Sequence, residues 1–93
     1  MVSNRGMYYK EVTTLCERRK EKADFGKRIG DHLRKIRKKQ QWSQERLSLS
    51  AGYTTTYVSK IERGLYSPSL HTIWRLARTM KLSLTEFFQE FEE

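Results

Sequence analysis

The sequence is poor in the features that mark several classes of protein: it has one cysteine, one proline and no long apolar run among 93 residues. Because the single Cys16 cannot form an internal disulfide, a disulfide scaffold is excluded and a reducing compartment is expected. No apolar stretch approaches the ~18 residues of a membrane span, and the first residues lack the apolar core of a signal peptide. We therefore expect a soluble, cytoplasmic protein.

Catalytic and metal-binding patterns are also missing from the sequence. His32 and His71 have no cysteine or carboxylate at metal-ligand spacing, so structural or surface roles are expected for both. There is no glycine-rich phosphate loop and no nucleophile motif. A chain of this size has little room for a deep catalytic cleft. The sequence therefore predicts no enzyme activity, no cofactor and no metal site.

Acidic residues are scarce relative to basic ones. Lysine and arginine number 19 against 11 aspartates and glutamates, a net charge of +8. Such a balance fits a polyanionic partner, and nucleic acid is favoured over a membrane surface because no membrane-inserting run is present. The excess lies between residues 25 and 63, whereas residues 84–93 carry only acidic charges. We expect one surface to face DNA and the acidic end to face away from it.

Apolar spacing predicts helices, and no strand pattern or internal repeat appears, so the fold class is all-α. In the first clear helix, apolar residues recur at steps of four, four and three: Phe25, Ile29, Leu33 and Ile36. This helix is predicted to end near Gln40. Residues 1–24 are interpreted as an N-terminal arm or an extra helix, and residues 25–93 as a DNA-binding domain.

Two short helices joined at Gly52 are predicted within residues 43–64. Ser43 can cap the first through its hydroxyl, and Gly52 supplies the left-handed position that ends it. Thr54 is the expected cap of the second helix, which runs for about ten residues to Gly64. Two short helices hinged at a glycine in a basic chain are typical of a DNA-binding helix-turn-helix.

Two further helices complete a predicted set of five. The fourth starts at Ser69, and its apolar stripe includes Leu70 and Trp74, which we assign to the core. The fifth opens with Ser83 and Glu86, which match the capping box.

The outer face of the third helix carries small, polar and basic side chains. At 100° per residue, Val58 and Ile61 point inward and a second set points outward: Thr55, Thr56, Ser59, Lys60 and Arg63. Threonine methyl groups can pack on the thymine methyl group, and Lys60 can reach the O6 or N7 atom of guanine. This face is therefore the candidate for reading DNA bases.

The chain resembles the phage-repressor-like (Cro/repressor, XRE) helix-turn-helix family between residues 29 and 88. The resemblance is carried by Ile29 to Ile36, Ser43-Gln44-Glu45-x-Leu47, Gly52, Tyr57-Val58-Ser59-Lys60-Ile61-Glu62-Arg63-Gly64, Pro68-Ser69-Leu70 and Leu82-Ser83-Leu84. It implies a five-helix, lambda-repressor-like DNA-binding domain.

The resemblance also implies roles for particular residues. Base contacts are expected from the first turns of the third helix, at Thr55, Thr56, Tyr57 and Lys60. Gln44 is expected to anchor on a phosphate and to brace the third helix. Charge and position add further candidates, so the backbone contacts expected are Ser43, Gln44, Ser59, Arg63, Lys38 and Lys39. The alternative for the lysines is a charged face that only aids solubility.

A structural ion pair between Arg37 and Glu62 is a further implication, and the alternative is that Arg37 binds phosphate beside Lys38. The chain departs from the family at two positions. Ser48 stands where a small alanine lets helices cross, and Tyr53 stands where a compact aliphatic residue plugs the turn. Tyr53 must lie across the surface or point at the DNA backbone.

These observations predict a sequence-specific regulator of transcription that binds double-stranded DNA, as a repressor or a restriction-modification controller. We expect a homodimer on a pseudo-palindromic operator, since two recognition helices about 34 Å apart read half-sites one turn apart. The dimer-interface candidates are Phe87, Phe88 and Phe91. The alternative is an antitoxin or protein-interaction module with secondary DNA binding. RNA binding is disfavoured because no exposed aromatic platform is predicted.

Overall fold

The computed structural model describes residues 15–91, which form an all-helical fold. Between these residues there are five helices and no strand: α1 (Leu15–Lys39), α2 (Gln44–Ser50), α3 (Tyr57–Glu62), α4 (Leu70–Thr79) and α5 (Leu84–Phe88). The predicted fold class and the order of the elements are confirmed. None of these helices is both long enough and apolar enough to cross a membrane.

The first helix is longer than predicted, because it begins at Leu15 and not near Phe25. Residues 15–24 are rich in arginine, lysine and glutamate, which favour helix, and contain no glycine or proline to stop it. All ten of these residues are exposed, so they show no apolar stripe. The apolar spacing therefore marked where burial begins, and the helix itself begins earlier. The rest of the predicted arm, residues 1–14, lies outside the described residues.

One apolar core joins the helices. Its fully buried side chains come from every helix: Leu33 of α1, Leu47 of α2, Val58 and Ile61 of α3, Leu76 of α4 and Phe87 of α5. Burying an aliphatic or aromatic side chain of this size contributes roughly 1.5–3 kcal/mol. The core holds the helix-turn-helix on one side, so the outer side of α3 is left for other contacts.

The starts of α2, α4 and α5 are capped by the residues predicted to cap them. The hydroxyl of Ser43 accepts a hydrogen bond from the amide of Arg46 at 3.0 Å, and that of Ser69 accepts one from Thr72 at 3.1 Å. Ser83 and Glu86 form the reciprocal capping box. Gly52 follows α2 with φ of +90°, the left-handed conformation for which a glycine was expected. These local signals placed the helices correctly.

The predicted length of α3 was wrong, since the helix has six residues and not about ten. Its cap is Thr56, whose side chain makes no capping hydrogen bond, and the expected cap Thr54 is exposed. An amide of the first turn, that of Val58, instead donates to the hydroxyl of Ser48 in α2 at 3.0 Å. The start of α3 is thus capped by the neighbouring helix, which no local pattern around Thr54 could reveal.

The assignment of Trp74 and Leu70 to the core was wrong. Trp74 is 38% exposed and Leu70 is 66% exposed. Trp74 stacks on His71 with ring centroids 5.8 Å apart, and the guanidinium of Arg78 lies 4.8 Å from its ring. The buried stripe of α4 is narrower than predicted because Trp74 lies about 100° round the helix from Ile73 and Leu70 precedes the buried turns.

The prediction of a dimer interface was wrong for one of its three phenylalanines. Phe87, a candidate for a dimer interface, is 0% exposed inside the core of its own chain, so it has no surface to offer a partner. The imidazole Nε2 atom of His32, itself buried, hydrogen-bonds the carbonyl oxygen of Phe87. Phe88 and Phe91 stay half-buried around the same imidazole. His32 therefore has a structural role in holding α5 against α1.

Candidate nucleic-acid interface

The predicted base-contacting residues lie on one edge of the molecule, around the start of α3. Thr55 and Thr56 are exposed in the turn that precedes α3, and Tyr57 and Lys60 are half-buried on the helix itself. On the same helix, Val58 and Ile61 are fully buried in the core. The two threonines thus sit just before α3 and not in its first turns.

A buried ion pair joins α1 to the end of α3. The guanidinium of Arg37 donates from Nε to Oε2 of Glu62 at 2.6 Å and from Nη2 to Oε1 at 3.0 Å. The two side chains are 7% and 1% exposed. A third donor, Nη1 of Arg37, bonds the carbonyl oxygen of Trp42 at 2.7 Å. Arg37 is therefore a structural residue whose donors point into the protein.

Gln44 joins the same network from the first position of α2. Its Nε2 atom donates to Oε1 of Glu62 at 2.9 Å, so one carboxylate ties together α1, α2 and α3. The two hydrogen bonds from Arg37 to Glu62 are strong, and together they fix the relative orientation of the two side chains. The side chain of Gln44 is also half-buried at the surface, where its amide is the predicted phosphate anchor. Its bracing contact is present, and its phosphate contact stays a prediction.

The crossing of α2 and α3 depends on Ser48, which the sequence analysis noted only for its size. Its hydroxyl donates to the carbonyl oxygen of Gln44 at 2.8 Å and accepts from the amide of Val58 at 3.0 Å. Ser48 is 0% exposed, so this hydroxyl has protein partners only. The sequence did contain a signal for this role, because it has a hydroxyl at a position where the family resemblance implied a small alanine.

The crossing of α1 and α3 depends on Gly30. A Cβ atom at this position would overlap the carbonyl oxygen of Ile61 and lie 3.1 Å from Cα of Glu62. The close approach brings Arg37, two turns further along α1, level with Glu62. The backbone of α3 therefore rests directly on α1.

Three tyrosines cover the flank of α3. Tyr53 stacks on Tyr57 with centroids 4.3 Å apart, and Tyr57 contacts Tyr66 at 5.7 Å. The ammonium of Lys60 lies 5.5 Å from the ring of Tyr66. Tyr53 thus lies across the surface, one of the two orientations predicted for it. Cation–π contact of this kind orients Lys60 along the outer side of α3.

The basic residues near the end of α1 do not all lie beside α3. Lys35 forms an ion pair with Glu90 at 3.3 Å, and its hydrogen bond lowers the pKa of Glu90 below the usual value, with the charge of Lys39 acting in the same direction. Lys39 is about 160° round α1 from Arg37, which points at Glu62. Lys39 therefore faces Glu90, and its contact with the DNA backbone stays a prediction.

The remaining predicted backbone contacts surround the two ends of the helix-turn-helix. Ser43 is exposed, with its hydroxyl engaged at the cap of α2, and Lys38 is exposed near the end of α1. Ser59 is half-buried on α3, and Arg63 is exposed directly after it. Within residues 15–91, no group of three or more histidine, cysteine, aspartate or glutamate side chains is placed to hold a metal ion.

Comparison with known proteins also indicates a helix-turn-helix protein. Residues 33–87 match the helix-turn-helix family, a span that includes α2, α3, α4 and most of the core. The chain is 32% identical over 71 residues to the control protein C.MunI of Mycoplasma sp, covering 75% of this chain and 96% of that protein.

Two other relatives share the same segment. The chain is 38% identical over 71 residues to the HTH-type transcriptional regulator PuuR of Escherichia coli, covering 76% of this chain and 38% of that protein. It is 36% identical over 59 residues to the ImmF control region 10 kDa protein of Bacillus phage phi105, covering 63% of this chain and 66% of that protein. The chain thus spans about two fifths of the length of PuuR.

Proposed function

We propose, from the premise that the chain belongs to the phage-repressor-like (Cro/repressor, XRE) helix-turn-helix family, that it binds double-stranded DNA in a sequence-specific manner and regulates transcription. The observation that carries the proposal is the buried network of Arg37, Glu62 and Gln44, which holds α3 on the side that faces α1 and α2. Because the support lies on the inner side, the outer side of α3 is left to enter a major groove about 12 Å wide.

The proposed base contacts are Thr55, Thr56, Tyr57 and Lys60. The threonine side chains offer a methyl group to thymine and a hydroxyl to base edges, and the Lys60 ammonium offers donors to guanine. Lys60 is half-buried against Tyr66, so less side-chain freedom is lost when it binds.

The proposed backbone contacts are Ser43, Gln44, Ser59, Arg63 and Lys38. They flank the proposed base contacts along α2 and α3 and at the end of α1. Contacts to phosphate set the register of the protein on the duplex and carry no sequence information. Loss of one such contact should weaken binding to every DNA sequence by a similar factor.

The proposed regulator is a homodimer that occupies a pseudo-palindromic operator and represses by excluding polymerase. Phe88 and Phe91 are half-buried at the end of the chain that the structure describes, next to the exposed Phe25, and are the interface candidates that remain. Similarity to two proteins named for a control function, C.MunI and the phage ImmF-region protein, supports a controller of this type.

Selection of bound duplexes from a random DNA library at near-physiological salt, followed by sequencing, tests this function. The expected result is enrichment of an inverted repeat whose half-sites are centred about 34 Å apart along one face of the duplex. Salt-sensitive binding without enrichment of any sequence would contradict the proposal, since it would leave phosphate affinity alone. A Thr55→Ala/Thr56→Ala variant should alter the enriched sequence, and a Lys38→Ala control should not.

A further inference from the structure

The N-terminal part of α1 extends beyond the core and is unexplained by the family match, which begins at residue 33. We call residues 15–24 the α1 extension. It is about 15 Å long at 1.5 Å per residue, which equals the length of four to five base pairs of DNA. All its residues are exposed, so its charges are not spent on packing the core.

The part of α1 that follows the α1 extension packs against α3 and against the loop after it. Gly30 contacts the backbone of Ile61, and the backbone of Lys27 lies close to Gly64, where an added Cβ would be 3.9 Å from Cα of Lys27. Next along the same face, a Cβ at Gly26 would be 4.0 Å from Cβ of Ser67. The face of α1 that meets α3 therefore continues past α3 along the loop.

A cleft of about 250 Å³ opens where this face leaves the loop. It is lined by Arg19, Lys22 and Ala23 of the α1 extension and by Leu65 and Ser67 of the loop. We call it the flank cleft. Arg63, a proposed backbone contact, directly precedes the loop. The two basic side chains of the cleft thus adjoin the loop that begins directly after Arg63.

The charges of the α1 extension are sorted by face. At 100° per residue, the acidic residues Glu17, Glu21 and Asp24 lie about 140–160° round the helix from Arg19. The side that meets the loop therefore carries positive charge and the opposite side carries negative charge. A phosphate backbone that passes the loop would meet Arg19 and Lys22 first.

We propose that the flank cleft binds the sugar-phosphate backbone of DNA just outside the segment contacted by α3, with Arg19 and Lys22 as the phosphate-binding residues. The partner chemistry is a polyphosphate strand of duplex DNA. The proposal rests on the proposed function, because it takes α3 to lie in the major groove. It adds a longer binding site, extended by four to five base pairs on each outer side.

The first test is the salt dependence of binding by an Arg19→Ala/Lys22→Ala variant, measured on the enriched duplex. Each lost phosphate contact lowers the slope of log affinity against log salt by about 0.9, so the loss of two contacts in each of two protomers should lower the slope for the dimer by between about three and four. Equivalently, the ratio of wild-type to variant affinity should change by roughly a hundredfold between about 50 and about 200 mM salt. An unchanged slope would overturn the proposal.

The matched control is Lys20→Ala, compared with Arg19→Ala, since each removes one positive charge from the same helix. Lys20 lies about 100° round the helix from Arg19 and about 160° from Lys22, outside the lining of the flank cleft. The control should keep a slope within about half a unit of the wild type, since long-range charge adds little beyond a Debye length of about 8 Å. Equal decreases in the two variants would indicate general attraction and would also overturn the proposal.

A second test uses Cys16, the single cysteine of the sequence, which is exposed and lies three residues before Arg19 on the same side of α1. An iron chelate attached to Cys16 should cleave the backbone within the four to five base pairs outside the enriched repeat. Cleavage confined to the repeat, or no cleavage on a duplex that is fully bound, would contradict the placement.

Failure of this proposal is distinguishable from failure of the proposed function. If a repeat is enriched but the Arg19→Ala/Lys22→Ala variant keeps the wild-type slope, the flank cleft is wrong and sequence-specific binding stands. If no repeat is enriched, the same slope comparison is made on a random-sequence duplex. A decrease of nearly two for each bound protomer there supports the cleft as a phosphate site without the proposed regulator, and no decrease rejects both.

Discussion

At the scale of single residues, the arrangement depends on a few polar side chains that hold α3 from inside the protein. Glu62 receives hydrogen bonds from two other helices, and Ser48 supplies the capping oxygen at the start of α3. None of the buried polar side-chain atoms in residues 15–91 lacks a partner. Removing one member of such a set leaves another unsatisfied in the interior.

Arg37→Met should therefore lower the free energy of unfolding by about 3–5 kcal/mol, because it leaves the Glu62 carboxylate buried and unpaired. Urea unfolding followed by circular dichroism measures this loss. A double variant, Arg37→Met/Glu62→Leu, should recover most of the stability because the unpaired charge is gone. If the single variant lost less than about 1 kcal/mol, the buried network would not be what holds α3.

Ser48→Ala should lower the free energy of unfolding by about 1 kcal/mol, since the amide of Val58 loses its acceptor. Ser50→Ala, an exposed serine in the same helix, is the control and should change stability by less than about 0.5 kcal/mol. Both are measured by chemical denaturation. Equal effects of the two substitutions would show that the hydroxyl of Ser48 does not cap α3.

At the scale of the elements, what could be predicted from sequence was local. Ser43, Ser69 and the Ser83–Glu86 pair each act on amides within their own first turn, so short patterns revealed them. Gly52 likewise marked the end of α2 by its left-handed backbone. These helix limits follow from chemistry within four or five neighbouring residues.

The features that sequence reasoning missed depend on distant neighbours. The cap of α3 comes from Ser48, ten residues away. The exposure of Trp74 depends on how wide a face of α4 the other helices cover. The start of α1 was misplaced because an exposed helix has no apolar stripe. In the candidate site, Arg37 and Glu62 were paired only through the family resemblance, since 25 residues separate them in the chain.

The contact of α5 with α1 has a predictable pH dependence. The hydrogen bond from Lys35, aided by Lys39, lowers the pKa of Glu90, so its contribution to stability is present above the unfolded value and is lost as the pH falls through the lowered folded value. Glu90→Gln should therefore lower the melting temperature slightly at pH 7 and have no effect near pH 2. A difference that persists at low pH would contradict this assignment.

At the scale of the whole molecule, different parts of the surface carry different side chains. The side with α3 and the loop after it presents hydroxyls and basic groups, and the end with Glu90, Phe88 and Phe91 presents acidic and aromatic groups. A protein that binds DNA as a symmetric dimer needs such a separation, because one surface must meet phosphate and another must meet the second copy.

Phe91→Ser should weaken dimer formation by about 1–2 kcal/mol, as expected for a partly exposed aromatic at an interface. Sedimentation equilibrium at several concentrations measures the change. Trp74→Ser, which removes an exposed aromatic from α4, is the control and should leave the dissociation constant unchanged. Equal dimer formation by the Phe91 variant and the wild type would exclude the end of the chain as the interface.

The proposed function assigns the reading of base sequence to α3 and general affinity to the surrounding basic groups. The direct measurement is the ratio of affinities for the enriched duplex and a scrambled duplex, compared between Lys60→Ala and Lys38→Ala at one salt concentration. We predict that Lys60→Ala reduces this discrimination by about 1–3 kcal/mol, whereas Lys38→Ala weakens binding to both duplexes alike and lowers the salt slope by about one for each bound protomer. Equal losses on the two duplexes for Lys60→Ala would contradict this prediction.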